Sequence, residues 1–334
     1  MNLSFIRSLI KDTYGIEVCC ASKIKNVYKL EGKSKSYCLK VINYNLGHFL
    51  FIIAAIKHLQ NGGFHSIPEI ISTVKGNSYI EYQGSYAYLT EWINCRQCNY
   101  NNPLDLKIAS QKLAELHLKS RNFSIESNME PRIGWLKWID TFRTRVDEIY
   151  SFREIILSRE HKSKFDYLYM KEMEEQVSAA RDSIINLCKS DYINQMKTEI
   201  CKKGFCHHDY AHHNILIGEN DNVNIIDFDY CILDSHLHDL CSLIIRRLKN
   251  NRWDLDCAGS IIGNYDKINK IHKEEIPIMS AFIEFPQDYW QLGIQYYLEK
   301  KQWDEEVFIN KLKKIYEDRD DKYEFLYDFT RTIL

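Results

Sequence analysis

The sequence predicts an α+β protein of two lobes, a small antiparallel sheet at the N-terminus and a larger helical lobe after it. Three observations predict this. Residues 18–90 break into short apolar runs separated by glycine-containing or polar turns. Beyond residue 91 the apolar residues recur mainly at helical spacing. That helical character is interrupted once, at 204–229, by short strand-like runs flanking a cluster of Asp, Asn and His.

With 334 residues the chain is too long for one small core, and the change of character places two domains at 1–90 and 91–334. An apolar fraction of 45% with 27% charged residues is ordinary for a folded globular protein. The 44 Lys and Arg nearly balance the 46 Asp and Glu, so no global field favours nucleic acid or an anionic membrane as partner. No apolar run approaches membrane-spanning length. Near the N-terminus Arg7, Lys11 and Asp12 interrupt any export-signal core, which predicts synthesis in the cytoplasm. Most of the 11 cysteines lie in apolar segments and are expected as free thiols. Cys95 and Cys98 form one CxxC, but no second pair stands at a spacing suited to zinc.

Taken in chain order, Phe5, Ile6, Leu9 and Ile10 fit one face of a short amphipathic helix. Residues 25–30 and 37–42 read as strands joined by a turn at 31–34. A helix is expected over about 47–60, stopped by Asn61, Gly62 and Gly63. Two more strands, 78–82 and 86–90, flank a turn at Gln83, Gly84 and Ser85. The joint after them, near Thr90 to Ile93, is where a cleft between lobes is expected. Asn102 and Pro103 open the next helix as N-cap and first helical residue, and Leu106, Ala109, Leu113 and Leu116 give it an apolar stripe. Further stripes run from Trp135 through Ile149 and from Phe165 through Leu187. Their aromatic residues are read as core.

The chemistry-bearing stretch runs from Gly204 to Ile217 and continues from Asn224 to Tyr230. It contains His207-x-Asp209, then Asn214 five residues on, an apolar strand, a polar turn at 218–222, and Ile225-Ile226-Asp227-Phe228-Asp229. Phosphoryl transfer needs one carboxylate to orient an attacking hydroxyl and oxygen ligands to hold Mg²⁺ against a triphosphate. Asp209 suits the first role, and Asn214 and Asp227 suit the second. Pairing 215–217 with 223–226 as a hairpin would return Asp227 to the side of Asn214. Taken singly, Asp209 and Asn214 would be unremarkable turn residues; the combined spacing argues otherwise. His207, His208, His212 and His213 are read as loop residues rather than as a metal cluster.

These motifs resemble the aminoglycoside phosphotransferase and choline kinase branch of the protein-kinase-like fold. Within it the chain is similar to the CotS family of spore-coat-associated kinase-like proteins. Support is spread widely: Leu113-Ala114-Glu115-Leu116-His117, His238-Asp239-Leu240, and Glu284-Phe285-Pro286-Gln287-Asp288-Tyr289-Trp290 all match. The resemblance implies a phosphotransferase that uses ATP and Mg²⁺ on a small-molecule or sugar-like hydroxyl. It implies Asp209 as catalytic base, with Asn214, Asp227 and Asp229 at the metal. Lys40 is implied on the α/β-phosphates, and Glu91, Trp92 and Ile93 at the adenine through their backbone. Asp239 would brace the catalytic loop. Spore coat association, with other coat proteins as partners, follows from the family alone.

The pattern departs from that family at three places. No Asp or Glu occurs from Val41 to Pro68, so the following helix offers Lys40 no carboxylate. No glycine lies between Gly15 and Gly32, where a phosphate loop is usual. His208 stands where relatives carry glycine, in a backbone position that Gly serves best. These departures keep two other readings open, a non-catalytic kinase-fold scaffold of the coat and an aminoglycoside-resistance enzyme.

Overall fold

The computed structural model describes residues 3–219, 222–250 and 252–332. Helix α1 (Leu3–Tyr14) turns Ile6 and Ile10 inward and leaves Phe5 at the surface. Strands β1 (Val18–Ile24), β2 (Val27–Gly32) and β3 (Ser36–Ile42) follow as an antiparallel meander. Strand β1 is mostly exposed, so it lacks the alternation that marks a half-buried strand in a sequence. The β2 strand begins at Val27 rather than at residue 25 because Lys25 takes a left-handed φ of 54° in the tight turn before it.

Helix α2 (Leu46–Asn61) carries no acidic residue in its first turn, and Phe49, Phe51, Ile52, Ile53, Ile56 and Leu59 are all buried. So broad an apolar surface belongs to a helix enclosed on most sides. The Asn45 side chain caps it by accepting from His48 N at 2.8 Å, an interaction that stabilises a helix by about 1 kcal/mol. At the other end Gly62 N donates to His58 O, and Gly63 supplies the positive φ of 77°. The short β4 (Ile70–Ile71), β5 (Ile80–Tyr82) and β6 (Ser85–Glu91) complete the sheet, in the order β1-β2-β3-β6-β4 with β5 also on β6. Leu30, Leu39, Ala87 and Leu89 pack with Ile6 and Ile10 in its core.

Strand β7 (Arg96–Gln97) leads to α3 (Pro103–Lys119), whose first turn is capped by the Asn102 side chain accepting from Leu104 N at 2.9 Å. Helices α4 (Trp138–Ser158), α5 (Lys164–Lys189) and α6 (Tyr192–Lys202) come next. The apolar stripe expected from Trp135 starts as helix only at Trp138, since Leu136 is left-handed at φ 62°. Strands β8 (Ile215–Ile217) and β9 (Val223–Ile225) form the expected hairpin, and β7 adds to it in the order β7-β8-β9. Of the turn expected at 218–222, residues 220 and 221 lie outside the described residues. The rest is helical: α7 (Leu237–Leu248), α8 (Leu255–Asp266), α9 (Ile276–Glu284), α10 (Gln287–Gly293), α11 (Glu305–Glu317) and α12 (Arg319–Thr332).

Two compact units result, and neither is continuous in the chain. The first comprises 1–133 and 203–233, the second 134–202 and 234–334. The domain boundary expected at 90–91 coincides with the end of β6, inside the first unit.

The second unit accounts for the C-terminal Glu284–Trp290 stretch as packing. Tyr289 stacks on Tyr169 at 4.1 Å between centroids, and each hydroxyl donates to the other residue's carbonyl, at 2.7 and 3.3 Å. Phe285 stacks on Phe142 at 4.1 Å. The Arg145 guanidinium lies over the Trp290 ring at 4.4 Å and donates to Gln287 Oε1. Gly293 closes this region: a Cβ there would lie 2.5 Å from the Phe152 ring.

Candidate active site

Lys40, Glu91, Trp92, Ile93, Asp209, Asn214, Asp227 and Asp229 all lie in the first unit, whereas Asp239 is buried in α7 of the second. The loop from His207 to Asn214 is held from beneath. His207 is fully buried, its Nε2 is 3.0 Å from Ile226 O, and its ring packs on Phe228 at 4.7 Å. Tyr210, also fully buried, donates from its hydroxyl to Ala109 O on α3 at 2.9 Å. Tyr100 donates to Tyr210 O at the same distance. Two tyrosines therefore tie the loop's main chain and side chain to fixed structure. His208 adopts φ 67°, so a histidine occupies the left-handed conformation that glycine would take more freely. His212 and His213 are exposed, and among the described residues the four loop histidines do not form a metal-ligand set.

Asp209 and Asn214 meet directly. Asn214 Nδ2 donates to Asp209 O at 2.9 Å and to Asp209 Oδ2 at 3.2 Å. Asn214 is buried while Asp209 is partly open to solvent. The β8–β9 hairpin then does what its spacing predicts: Ile226 N donates to Asn214 O at 2.9 Å, which sets Asp227 one residue beyond that bond. Asp227 itself is left-handed, at φ 70° and ψ 61°, and opens a 3₁₀ turn over Phe228–Tyr230.

Lys40 extends from β3, opposite Tyr88 on β6, and is buried. Its ammonium lies 2.5 Å from Asp227 Oδ1 and 2.6 Å from Asp229 Oδ1. Burial works against the charge on Lys40, but Tyr88, Asp229 and Asp227 together hold its pKa above the ordinary lysine value. Burial also opposes ionisation of Asp227, where Lys40 outweighs it and the carboxyl is held below its usual range. At Asp229 burial, reinforced by the charge on Asp227, prevails and the pKa is raised.

The 3₁₀ turn is fixed from two sides by residues that nothing in the sequence marks. His48, buried on α2, has Nε2 3.4 Å from Asp229 O and Nδ1 3.4 Å from Glu130 O. The Arg132 guanidinium lies 5.5 Å from the rings of both Tyr44 and Tyr230. A lone His in an apolar helix and an Arg in a loop carry no motif, so only the packing reveals them.

At the end of β6, Glu91 is exposed and ion-paired with Lys35. Trp92 N donates to Ser36 O at 2.9 Å, and Lys29 lies over the Trp92 ring at 5.5 Å. That amide is committed to the sheet edge, while Ile93 is half-buried beside it. Of the CxxC pair, Cys98 is buried with its thiol 3.9 Å from Asp105 O, and both cysteines are free.

The fold and this arrangement define the class, the two-lobed fold of aminoglycoside phosphotransferases and choline kinases. An aminoglycoside phosphotransferase from Alicyclobacillus acidocaldarius superposes with a TM-score of 0.84 at 19% identity, covering 98% of this chain and 96% of that one. The AMP-bound spectinomycin phosphotransferase APH(9)-Ia gives 0.73 at 18% identity, with 98% of each chain covered. Choline kinase LicA from Streptococcus pneumoniae gives 0.54 at 13%, with 97% and 98% covered. The chain belongs to the family described as "Spore coat putative kinase YutH", whose family model matches residues 7–329. Among the described residues no helix is long and apolar enough to cross a membrane.

Proposed function

We propose that this protein is an ATP- and Mg²⁺-dependent phosphotransferase acting on a hydroxyl of a small-molecule or sugar-like acceptor, in association with the spore coat. The observation that carries this reading is the convergence of Asp209, Asn214, Asp227 and Lys40 on one site, with Asp209 and Asn214 in direct contact. A scaffold has no chemical need to hold a half-open carboxylate beside an amide and a buried lysine.

Asp209 is the base that orients the acceptor hydroxyl and takes its proton. Because Asn214 commits its Nδ2 to Asp209, its Oδ1 is the atom left for a cation. That oxygen and the Asp227 carboxylate form a hard, oxygen-only donor pair of the kind Mg²⁺ takes alongside phosphate oxygens. When bound, the ion neutralises charge on the phosphates. Lys40 is read as the α/β-phosphate contact. Glu91, Trp92 and Ile93 are read as the adenine edge, with the Trp92 amide excluded because Ser36 O holds it. The similarity to an AMP-bound spectinomycin phosphotransferase supports a nucleotide site.

The test is thermal unfolding with and without MgATP, on the parent and on Asp227→Ala. Ligand at about a hundredfold over its dissociation constant adds roughly 2.7 kcal/mol, a shift of about 4 °C for a chain of this length. A Mg²⁺-dependent shift that vanishes in the variant supports a working site. No shift at millimolar nucleotide would transfer the case to the scaffold reading, which the acid-free α2 favours. Protection of a susceptible host against aminoglycosides would favour the resistance reading.

A further inference from the structure

The most unusual feature of the site is the partner of its lysine. A phosphate-binding lysine must be aimed, because a flexible ammonium loses much of its value when its position is left to chance. Helix α2 contains no Asp or Glu along its length. The carboxylates that face Lys40 come instead from the 3₁₀ turn, Asp227 at 2.5 Å and Asp229 at 2.6 Å.

These two carboxylates are not equivalent. The Asp227 side chain is 32% exposed, whereas Asp229 is 14% exposed and Lys40 8%. Asp227 follows directly on the Asn214–Ile226 bond, so it stands on the side of the catalytic loop. Asp229 is the more deeply buried of the two: His48 of α2 lies 3.4 Å from its carbonyl, and its Oδ1 has the Lys40 ammonium as its counter-charge. Once Asp227 engages a divalent cation, it can no longer serve as the lysine's sole anchor, since the two cations repel each other across one carboxylate.

We propose that Asp229 is the positioning residue for Lys40, supplying from the 3₁₀ turn the carboxylate that α2 lacks. This rests on the phosphotransferase reading above and assigns Asp229 to the lysine rather than to the metal. The helix keeps an indirect part: His48 contacts the main chain of Asp229, so α2 holds the anchor's backbone and not the ammonium. The division of labour is Asp227 and Asn214 toward the cation, and Asp229 toward Lys40.

A double-mutant cycle with Lys40→Met and Asp229→Asn tests this, with MgADP binding read by calorimetry at several Mg²⁺ concentrations. The expected result is about a tenfold loss of affinity for Asp229→Asn when Lys40 is present, and less than twofold when it is Met. The Mg²⁺ concentration for half-maximal binding should stay within about twofold, and Asp229→Glu should recover most of the loss. A several-fold higher Mg²⁺ requirement, with losses that add to those of Lys40→Met, would make Asp229 a metal ligand and overturn the proposal. No MgADP binding by the parent would overturn the phosphotransferase reading and this role with it. If Asp229→Asn does not fold, Asp229→Ser serves in the same cycle.

Discussion

Lys40 and Asp227 lie 187 positions apart in the chain, yet the ammonium of one is 2.5 Å from a carboxylate oxygen of the other. The contact joins the central strand pair of the N-terminal sheet to the segment after the β8–β9 hairpin. It is one of the contacts that tie 203–233 to 1–133, alongside the β7–β8 pairing and the Ile225 N–Ser66 O bond. A buried lysine needs a counter-charge, and in this protein Asp227 and Asp229 of the 3₁₀ turn provide it.

Asp209 is half-buried, and its Oδ2 accepts from Asn214 Nδ2 at 3.2 Å, which places the carboxylate where an acceptor hydroxyl would be oriented. Asp209→Asn should therefore lower turnover by a factor of about 10²–10⁴, the range for loss of a general base. MgADP affinity should stay within about threefold. Single-turnover assays with candidate acceptors, alongside calorimetry, check both halves. Unchanged turnover would remove Asp209 from the chemistry.

At φ 67°, His208 bears a left-handed strain that glycine would not. Relief of that strain is worth roughly 1–2 kcal/mol, partly cancelled by the greater freedom of glycine in the unfolded chain. His208→Gly should raise stability by up to about 1 kcal/mol in urea unfolding. A clear loss would mean that the imidazole makes a contact worth more than the strain.

Glu199 in the second unit is buried between Lys202 at 2.6 Å and His236 at 3.2 Å. Burial opposes its charge, but His236 and Lys202 outweigh it and bring its pKa from 4.5 to about 2. A lowered carboxyl pKa means that the unfolded chain binds the proton first. The contribution is thus full above pH 4.5 and disappears as pH falls toward 2. Its size at neutral pH is on the order of 3 kcal/mol. Glu199→Gln should be less stable than the parent by about that amount at pH 7, with the gap closing below pH 4.5. Chemical denaturation at several pH values measures this; a gap independent of pH would assign the loss to packing.

Gly293 leaves no room for a methyl group, since a Cβ would sit 2.4 Å from the Tyr169 hydroxyl and 2.5 Å from the Phe152 ring. Both aromatics are fully buried and cannot move outward cheaply. Gly293→Ala should cost about 1–3 kcal/mol, the usual penalty of overpacking. The midpoint of urea unfolding reports it, and a change below about 0.5 kcal/mol would show that the Tyr169 and Phe152 rings can shift.

By itself the sequence determined the strand-rich start, the α2 helix to within a residue of each end, the α3 helix with its Asn102 cap, and the 215–217 strand. It also determined the Asp209, Asn214 and Asp227 spacing that the β8–β9 hairpin folds into one site. These features depend on caps, turns and periodicity acting over a few residues, and such interactions are written in adjacent letters. The start of α4 was less legible, because the left-handed Leu136 shortens a helix whose apolar stripe continues through it. Only the tertiary structure decided which carboxylates face Lys40, that His48 and Arg132 brace the turn carrying Asp229, and that 203–233 joins the first unit. Those outcomes depend on which distant segments pack together. A charge buried on β3 is satisfied by whatever carboxylate the packing delivers, and no local pattern around Lys40 encodes where that carboxylate lies.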